Sequence, residues 1–471
     1  MTPARPLRVA VVGAGPAGMY AAGHLLEGPG GTYLDGRLQQ LVRRPVEVDV
    51  LDRLPTPWGL VRHGVAPDHP EKKLVQRIFE ETANRPGFRF FGDIEVGTHV
   101  SHQDLLDWYD AVIYAHGASG DRPLGIPGED LPGSLSAREF VAWYNGHPDY
   151  AGLPIDLSHE RAVVVGNGNV ALDVARILTQ PVESLVSTDI ADHAVSALAA
   201  SKVREVVVLG RRANFHGAFS NPELAELGRI EGVQIVVEND DLPSDHDIVL
   251  DRATRRKLST LDAYSTQPRR ESERRIVLRF LSSPVEILGK DAVTGLVVGR
   301  NNLDLDGDGR AGVASGQERT VLDTGLVLRA IGYFGNPLAG IPFDSERGVI
   351  PHRDGRVLDQ GTLVPGLYVT GWAKRGPQGI IGSNKKCARD TVRSLLADAD
   401  SGTLSTQGTL NPDVVERRLR ERQPHLVDQN AWLRLDDHER RLGRASGRPR
   451  SKLVDRRAML MASRATIRRS N

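Results

Sequence analysis

A single cysteine, Cys387, stands in a chain of 471 residues. It excludes an internal disulfide, every Cys-x-x-Cys redox motif and every multi-cysteine zinc site. With them goes the disulfide-reductase chemistry that needs a cysteine pair. Such sparing use of cysteine suits the cytoplasm, where the chain is expected to work. No run of 18 or more apolar residues occurs, so no membrane span is expected. An excess of charge of one sign is missing too: 60 Lys and Arg face 60 Asp and Glu, a balance that selects no partner. The remainder is ordinary for a globular protein, 40% hydrophobic and 25% charged, with enough length for two or three cores. The opening MTPARPLRVAVVGAG starts like a secretion signal. It then runs into a glycine-rich turn without a small-residue cleavage pattern, and it reads as a first strand.

Residues 7–12 (LRVAVV) have the length and valine content of a buried strand. Gly13-Ala-Gly15-Pro-Ala-Gly18 follows, then an alanine- and leucine-rich helix to about Leu26, a glycine-rich loop at 28–36, and a second strand, VEVDVLD, at 46–52. The same grammar returns downstream. RAVVV at 161–165 is a strand, Gly166-Asn-Gly168-Asn-Val-Ala171 a turn and 170–178 a helix, and the strand EVVVL at 205–209 runs into Gly210-Arg211-Arg212. One such motif is weak, but strand, turn, helix and second strand at both places is the context it requires. Glycines let the backbone turn tightly and approach a pyrophosphate, which sits on free N–H groups at the helix N-terminus. Two dinucleotides are expected.

The residue closing each second strand discriminates between them. Asp52 can accept from ribose hydroxyls and repels a 2′-phosphate, which suits FAD or NAD. Arg211 and Arg212 set two guanidiniums where a 2′-phosphate would lie, which suits NADP. Asp52 stands further from its glycines than the usual ~20 residues, an excess that the loop at 28–45 accounts for. DAVIYAHGA at 110–118 is a further buried strand, and the proline-rich 121–127 is where the chain would cross between domains. GLYVTG at 366–371 is a late strand returning the chain to the first unit. The expected class is therefore α/β, two Rossmann-like three-layer nucleotide-binding domains, the first discontinuous in sequence.

Several unusual strings resemble the adrenodoxin reductase family, which includes bacterial NADPH–ferredoxin reductases of the mycobacterial type. They are Leu54-Pro-Thr-Pro-Trp-Gly-Leu-Val-Arg62 with Gly64-Val-Ala-Pro-Asp-His69-Pro70, then Ile126-Pro-Gly-Glu-Asp-Leu-Pro-Gly133, Gly166-Asn-Gly-Asn-Val-Ala-Leu-Asp173-Val-Ala-Arg176 and Gly371-Trp-Ala-Lys-Arg-Gly-Pro-Gln-Gly379. They span nearly the whole chain in the family's order. The resemblance implies a flavoprotein oxidoreductase that takes hydride from NADPH onto FAD and passes single electrons to a ferredoxin, an acidic iron–sulfur protein. It implies FAD on residues 1–120 and 334–471 and NADP on 121–333; a monomer is expected because no interface stripe stands out in the sequence. FAD would contact the turn of Gly13, Gly15 and Gly18 together with Ala17, Asp52, Leu60, Val96, Trp372 and the backbone of Gly379, Ile380 and Ile381. NADP would lie on Asn167, Gly168, Asn169 and Val170, with Arg211, Arg212 and Glu223 at its adenosine end and Gly379 near the nicotinamide. His69 and Asp173 match two polar residues that the family places near the flavin and implicates in electron transfer. Two departures stand out: Asp52 replaces the family's usual glutamate, and 213–217 (ANFHG) differs from its usual run.

Other features read more plainly. Asp304-Leu-Asp306-Gly-Asp308-Gly309 begins like a calcium loop, but Ser315 stands where a bidentate glutamate is needed. A hairpin turn is expected there, and no metal site anywhere. Cys387 is expected to be a packed small residue on a helix. Residues Glu439 to Asn471 carry eleven Lys and Arg against two acids and read as a solvated helix and frayed tail. No aromatic interleaving supports nucleic-acid binding there. An NADPH oxidase reducing quinones or dyes stays open as a rival. A redox-sensing module does too.

Overall fold

The computed structural model describes residues 5–27, 32–34, 37–39, 45–238, 251–268, 274–305, 311–404 and 410–465. The loop tip at 28–31 and most of the calcium-like turn lie outside the described residues, as does the chain after 465.

Two sheets organise the chain. The first has eight strands in the order His352–Arg353, Arg356–Asp359, Thr362–Val369, Ala111–Tyr114, Leu7–Val12, Val46–Asp52, Phe88–Gly92, Val427–Asp428. Its five central strands are parallel, from Thr362–Val369 to Phe88–Gly92, and its edges antiparallel. The sheet is thus assembled from both ends of the chain. The second sheet has six parallel strands in the order Val233–Glu238, Arg274–Arg279, Glu205–Leu209, Arg161–Val165, Leu326–Arg329, Ser134–Ser136. A three-stranded antiparallel sheet, Ser282–Gly289, Val293–Leu305 and Ala311–Asp323, packs on one face of it.

Apolar runs form these strands because both faces are covered. All six residues of Leu7–Val12 are buried, as are all five of Glu205–Leu209. Val9 and Val11 meet one helical layer with Met19, Leu25 and Phe79, while Ala10 and Val12 meet the other with Leu105 and Trp108. A parallel sheet under helices on both sides reads as a near-continuous hydrophobic run, each buried valine or leucine being worth about 1.5–3 kcal/mol. The two crossings between the sheets pair with each other, Tyr333 opposite Asp121 and Phe334 opposite Gly120. A two-stranded ladder joins the units.

The basic C-terminal stretch departs from expectation. Arg448, Arg450 and Lys452 are buried, not solvated. Arg450 pairs with Asp436 at 2.7 Å and Glu439 at 3.2 Å. Lys452 reaches Asp189 at 3.1 Å and the Arg62 carbonyl at 3.0 Å. Arg448 pairs with Asp192. Sequence counts charges without seeing partners, and here the partners come from the helices around residues 189–192 and 429–445. The segment straps the two units together.

Candidate functional site

Each glycine of the first turn has a separate steric reason. Gly13 has φ +108°, and a Cβ there would stand 2.7 Å from the Ala115 carbonyl oxygen. A Cβ on Gly18 would stand 1.9 Å from the Gly13 oxygen, so Gly18 permits the helix Pro16–Leu25 to pack on its own strand. Gly15 differs: the nearest atom to its Cβ would be Gly59 Cα at 3.9 Å. Nothing inside the protein requires a glycine there, which leaves the backbone open to close approach. The helix has no side-chain cap, so its first N–H groups stay available for an anion. Asp52 closes the second strand. Its Oδ2 accepts from the Ala14 N–H at 2.8 Å and its Oδ1 from the Leu54 N–H at 2.9 Å. Burial raises its pKa, and those two donors oppose the rise.

The second turn repeats the division. Gly166 has φ +121°, and its Cβ would stand 2.3 Å from the Ala330 oxygen, whereas Gly168 has nothing within 4 Å. The helix Asn169–Thr179 is again uncapped by any side chain. Asn169 and Asn167 instead fix the loop that follows the arginines, accepting from the Ser220 N–H at 2.8 Å and the Phe219 N–H at 3.0 Å. Val170 sits half-buried on that helix. Arg211 and Arg212 are exposed, with no ion pair to a carboxylate among the described residues.

A cleft enclosing about 1520 Å³ of empty space, its open mouth included, runs from the first turn toward the second unit. Of the expected residues, Gly13, Gly15, Ala17, Asp52, Leu60, Val96, Trp372, Ile380 and Ile381 line it. The late strand comes home where expected: a Cβ on Gly371 would stand 2.4 Å from that of Ala17. Gly379 has φ +84° and lies beside the cleft's Ile380, which is 73% exposed. The Trp58 N–H donates to the Ala14 carbonyl at 2.9 Å, closing the Pro-Trp-Gly loop over the turn.

Sequence reasoning missed other residues of the cleft. Tyr333 packs tilted at 37° against Trp372, 5.2 Å between ring centroids. His63 and His147 meet edge to face at 5.0 Å. Burial pushes the imidazoles of His116 and His147 down to about 4, in His147 together with the nearby arginines and against Asp149. Trp372 Nε1 and His116 Nδ1 are buried there without a hydrogen-bond partner. No periodicity or motif marks these positions. Unpartnered donors, two uncapped helices and two open glycines fit a dinucleotide at each turn.

His69 and Asp173 are brought together outside the cleft lining, on the seam between the units. His69 Nε2 stands 3.8 Å from Asp173 Oδ1. Arg176 ties the seam, donating to Asp68 Oδ2 at 2.5 Å and to Asp173 Oδ1 at 2.7 Å. Glu223, expected at the adenosine end, faces the same seam, where Lys72 Nζ donates to its Oε1 at 2.6 Å. Its neighbour one helical turn on, Glu226, joins it 3.4 Å from His69 Nε2. The i, i+3 spacing of these two acids was the available signal. Burial raises Asp173, against the pull of Arg176. In Glu223 burial is outweighed by Lys72, which holds the carboxyl below its usual range. Cys387 packs on the helix Ser383–Asp400, its Sγ accepting from the Gly371 N–H at 3.4 Å.

Known proteins resemble the chain over nearly its whole length. Residues 7–238 match the family described as pyridine nucleotide-disulphide oxidoreductase. The NADPH-ferredoxin reductase FprA of Mycobacterium tuberculosis is 45% identical over 458 residues, 96% of this chain and 97% of that one. The mitochondrial NADPH:adrenodoxin oxidoreductase of Arabidopsis thaliana is 39% identical over 98% of this chain and 96% of its own. The solved structure of Mycobacterium tuberculosis FprA in complex with NADPH has a TM-score of 0.90 and 44% identity, covering 98% of this chain and 100% of that one.

Proposed function

The chain belongs to the adrenodoxin reductase family, and on that premise we propose that it takes electrons from NADPH through FAD and delivers them singly to a ferredoxin. The observation that carries this reading is the pair of open, uncapped glycine turns, one closed by Asp52 and the other by Arg211 and Arg212. When bound, FAD supplies the conversion between a two-electron donor and a one-electron acceptor.

The chain's own work is binding and orientation. We assign FAD to residues 1–120 and 334–471 and NADP to 121–333. Gly13, Gly15, Ala17 and Gly18 carry the pyrophosphate of FAD on the helix N-terminus, and Asp52 accepts from its ribose. Leu60, Val96 and Trp372 wall the cleft, and the 379–381 backbone meets the ring. Asn167, Gly168, Asn169 and Val170 carry the second pyrophosphate, and Arg211 with Arg212 clamps the 2′-phosphate. His69 and Asp173 hold charge and a proton position at the seam. The exposed Arg252, Arg255 and Arg256 of the helix Arg252–Ser265 suit an acidic ferredoxin, which they would steer by long-range attraction.

Purified protein titrated without oxygen tests the reading. Yellow protein that bleaches readily with NADPH and poorly with NADH, and then reduces cytochrome c only when ferredoxin is added, supports it. Colourless protein that takes up no added FAD overturns it, and equal efficiency with a quinone removes the ferredoxin assignment.

A further inference from the structure

The loop that leaves the strand Glu205–Leu209 is held at both ends by the second glycine turn. At its start, a Cβ on Gly210 would stand 2.5 Å from Asn167 Nδ2. At its far end, the Phe219 N–H donates to the Asn167 carbonyl at 3.0 Å and the Ser220 N–H to Asn169 Oδ1 at 2.8 Å. Between them the chain makes one tight turn, Asn214–His216, in which the Gly217 N–H donates to the Asn214 carbonyl at 3.0 Å. The backbone of the two arginines is pinned from the other side. Asn301 Nδ2 donates to the Arg211 carbonyl at 2.8 Å, and the Leu281 N–H to the Arg212 carbonyl at 3.1 Å. Residues 211–220 thus form a closed rim, and the cations it carries are fixed beside the turn.

Two more basic side chains belong to that rim. Lys257, on the helix Arg252–Ser265, donates from Nζ to the Gly217 carbonyl and stands 5.3 Å from the centre of the Phe219 ring. Phe219 is buried, and its N–H is the one tied to Asn167, so a single residue fixes the ammonium relative to the glycine turn. Both of these partners are neutral, and an ammonium has two further N–H donors to place. Asp251, the acid that acts on Lys257 electrostatically, is engaged as the helix cap, accepting from the Thr254 N–H at 2.7 Å. Among the described residues, neither Lys257 nor Arg211 nor Arg212 has a carboxylate partner. His216 completes the group. Its ring lies 4.1 Å from that of Phe215, and its Nδ1 is buried without a hydrogen-bond partner. Burial lowers its pKa, and Arg212 from the strand end and Lys257 from the helix lower it further.

Three uncompensated cations on one rim repel one another, and a buried polar atom left unpaired adds to the cost. A phosphate monoester relieves both, with nearly two negative charges near neutral pH and three acceptor oxygens.

We propose that Lys257 and His216 complete the 2′-phosphate site together with Arg211 and Arg212. The inference rests on the assignment of NADP to the second turn and adds to it two residues that set the preference for NADPH over NADH. The imidazole is neutral in the free protein and takes one proton from solvent when the phosphate arrives, because an adjacent dianion favours its charged form.

The test is calorimetric titration of the FAD-loaded protein with adenosine 2′,5′-bisphosphate and with 5′-AMP, which lacks the 2′-phosphate, in two buffers of different ionisation enthalpy. Lys257→Gln should raise the dissociation constant of the bisphosphate about tenfold or more, the worth of one charged hydrogen bond, and leave 5′-AMP unmoved. Lys257→Arg should recover most of the loss. The parent should take up a proton with the bisphosphate that His216→Gln does not; release from the phosphate itself is common to both proteins and cancels. In steady-state kinetics both variants should raise the KM for NADPH and spare that for NADH. Unchanged bisphosphate binding in Lys257→Gln and His216→Gln overturns the proposal. So does an equal loss of 5′-AMP and bisphosphate, which marks a disturbed loop and no phosphate contact. If the parent binds the bisphosphate no better than 5′-AMP, the NADP assignment falls and this inference with it. If replacing Arg211 and Arg212 weakens the bisphosphate while the Lys257 and His216 variants bind as the parent does, that assignment stands and only this inference falls.

Discussion

His69 Nε2 and Asp173 Oδ1 face each other at 3.8 Å across the seam, although one lies on a loop leaving the first sheet and the other on the glycine-turn helix of the second. We expect the pair to act on turnover by holding charge and a proton position at that seam. His69→Gln and Asp173→Asn should each lower ferredoxin-linked turnover about 100-fold, the low end for a proton-handling group, with NADPH affinity little changed. Unaltered stopped-flow reduction and ferredoxin turnover in both variants would end the role assigned to the pair.

Arg211 and Arg212 decide between the nicotinamide cofactors. Each charged hydrogen bond to a 2′-phosphate is worth about 1.5–3 kcal/mol, so replacing both with alanine should raise the KM for NADPH by about 100-fold or more. The KM for NADH, which has no such phosphate, should barely move. Steady-state kinetics with both cofactors check this, and an equal rise for both would refute the clamp.

Gly15 and Gly18 should respond oppositely to alanine. A Cβ at Gly15 would meet only Gly59 Cα, at an ordinary contact distance of 3.9 Å, so Gly15→Ala should melt as the parent does without cofactor and retain FAD poorly. A Cβ at Gly18 would stand 1.9 Å from the Gly13 carbonyl oxygen, so Gly18→Ala should unfold early with or without FAD. Thermal melts paired with flavin release separate the two.

His116 imposes a pH dependence. Burial holds its folded-state pKa near 4, against about 6.5 in an unfolded chain. Between those values the unfolded state binds more protons, so stability rises with pH through that window and is lost on acidification from about 6.5 toward 4. The sum is on the order of 3 kcal/mol at the low end. Urea unfolding at pH 7 and pH 4.5 should show a smaller difference for His116→Asn than for the parent.

Glu439 anchors the C-terminal strap. It is fully buried, 2.6 Å from Arg62 and 3.2 Å from Arg450. Glu439→Gln leaves two buried guanidiniums short of charge, and breaking a buried pair in this way costs about 3–5 kcal/mol. A lowered melting temperature and faster tryptic cutting after residue 445 are the expected signs.

Much of this was legible in one dimension because it rests on local rules. The strands at 7–12, 46–52, 161–165 and 205–209 fall where apolar runs place them, since a strand buried on both faces has no other pattern to show. The glycine turns and the residues closing the second strands were legible because strand, turn and helix are consecutive. The buried strap was not: Arg450 and Lys452 look solvated until Glu439 and Asp189 are brought to them. Tyr333, His63, His116 and His147 carry no motif, and only the closing of the two crossings around the cleft makes them its walls.

The sequence by itself determined that there are two nucleotide turns, which acid or guanidinium finishes each, and that one cysteine forbids disulfide chemistry, because these depend on neighbours along the chain. Only the tertiary structure decided that His69, Asp173, Glu223 and Glu226 share one seam and that Glu223 turns toward it. Those four residues come from three separate segments, and burial with mutual charge exists only once the two sheets are packed into one fold.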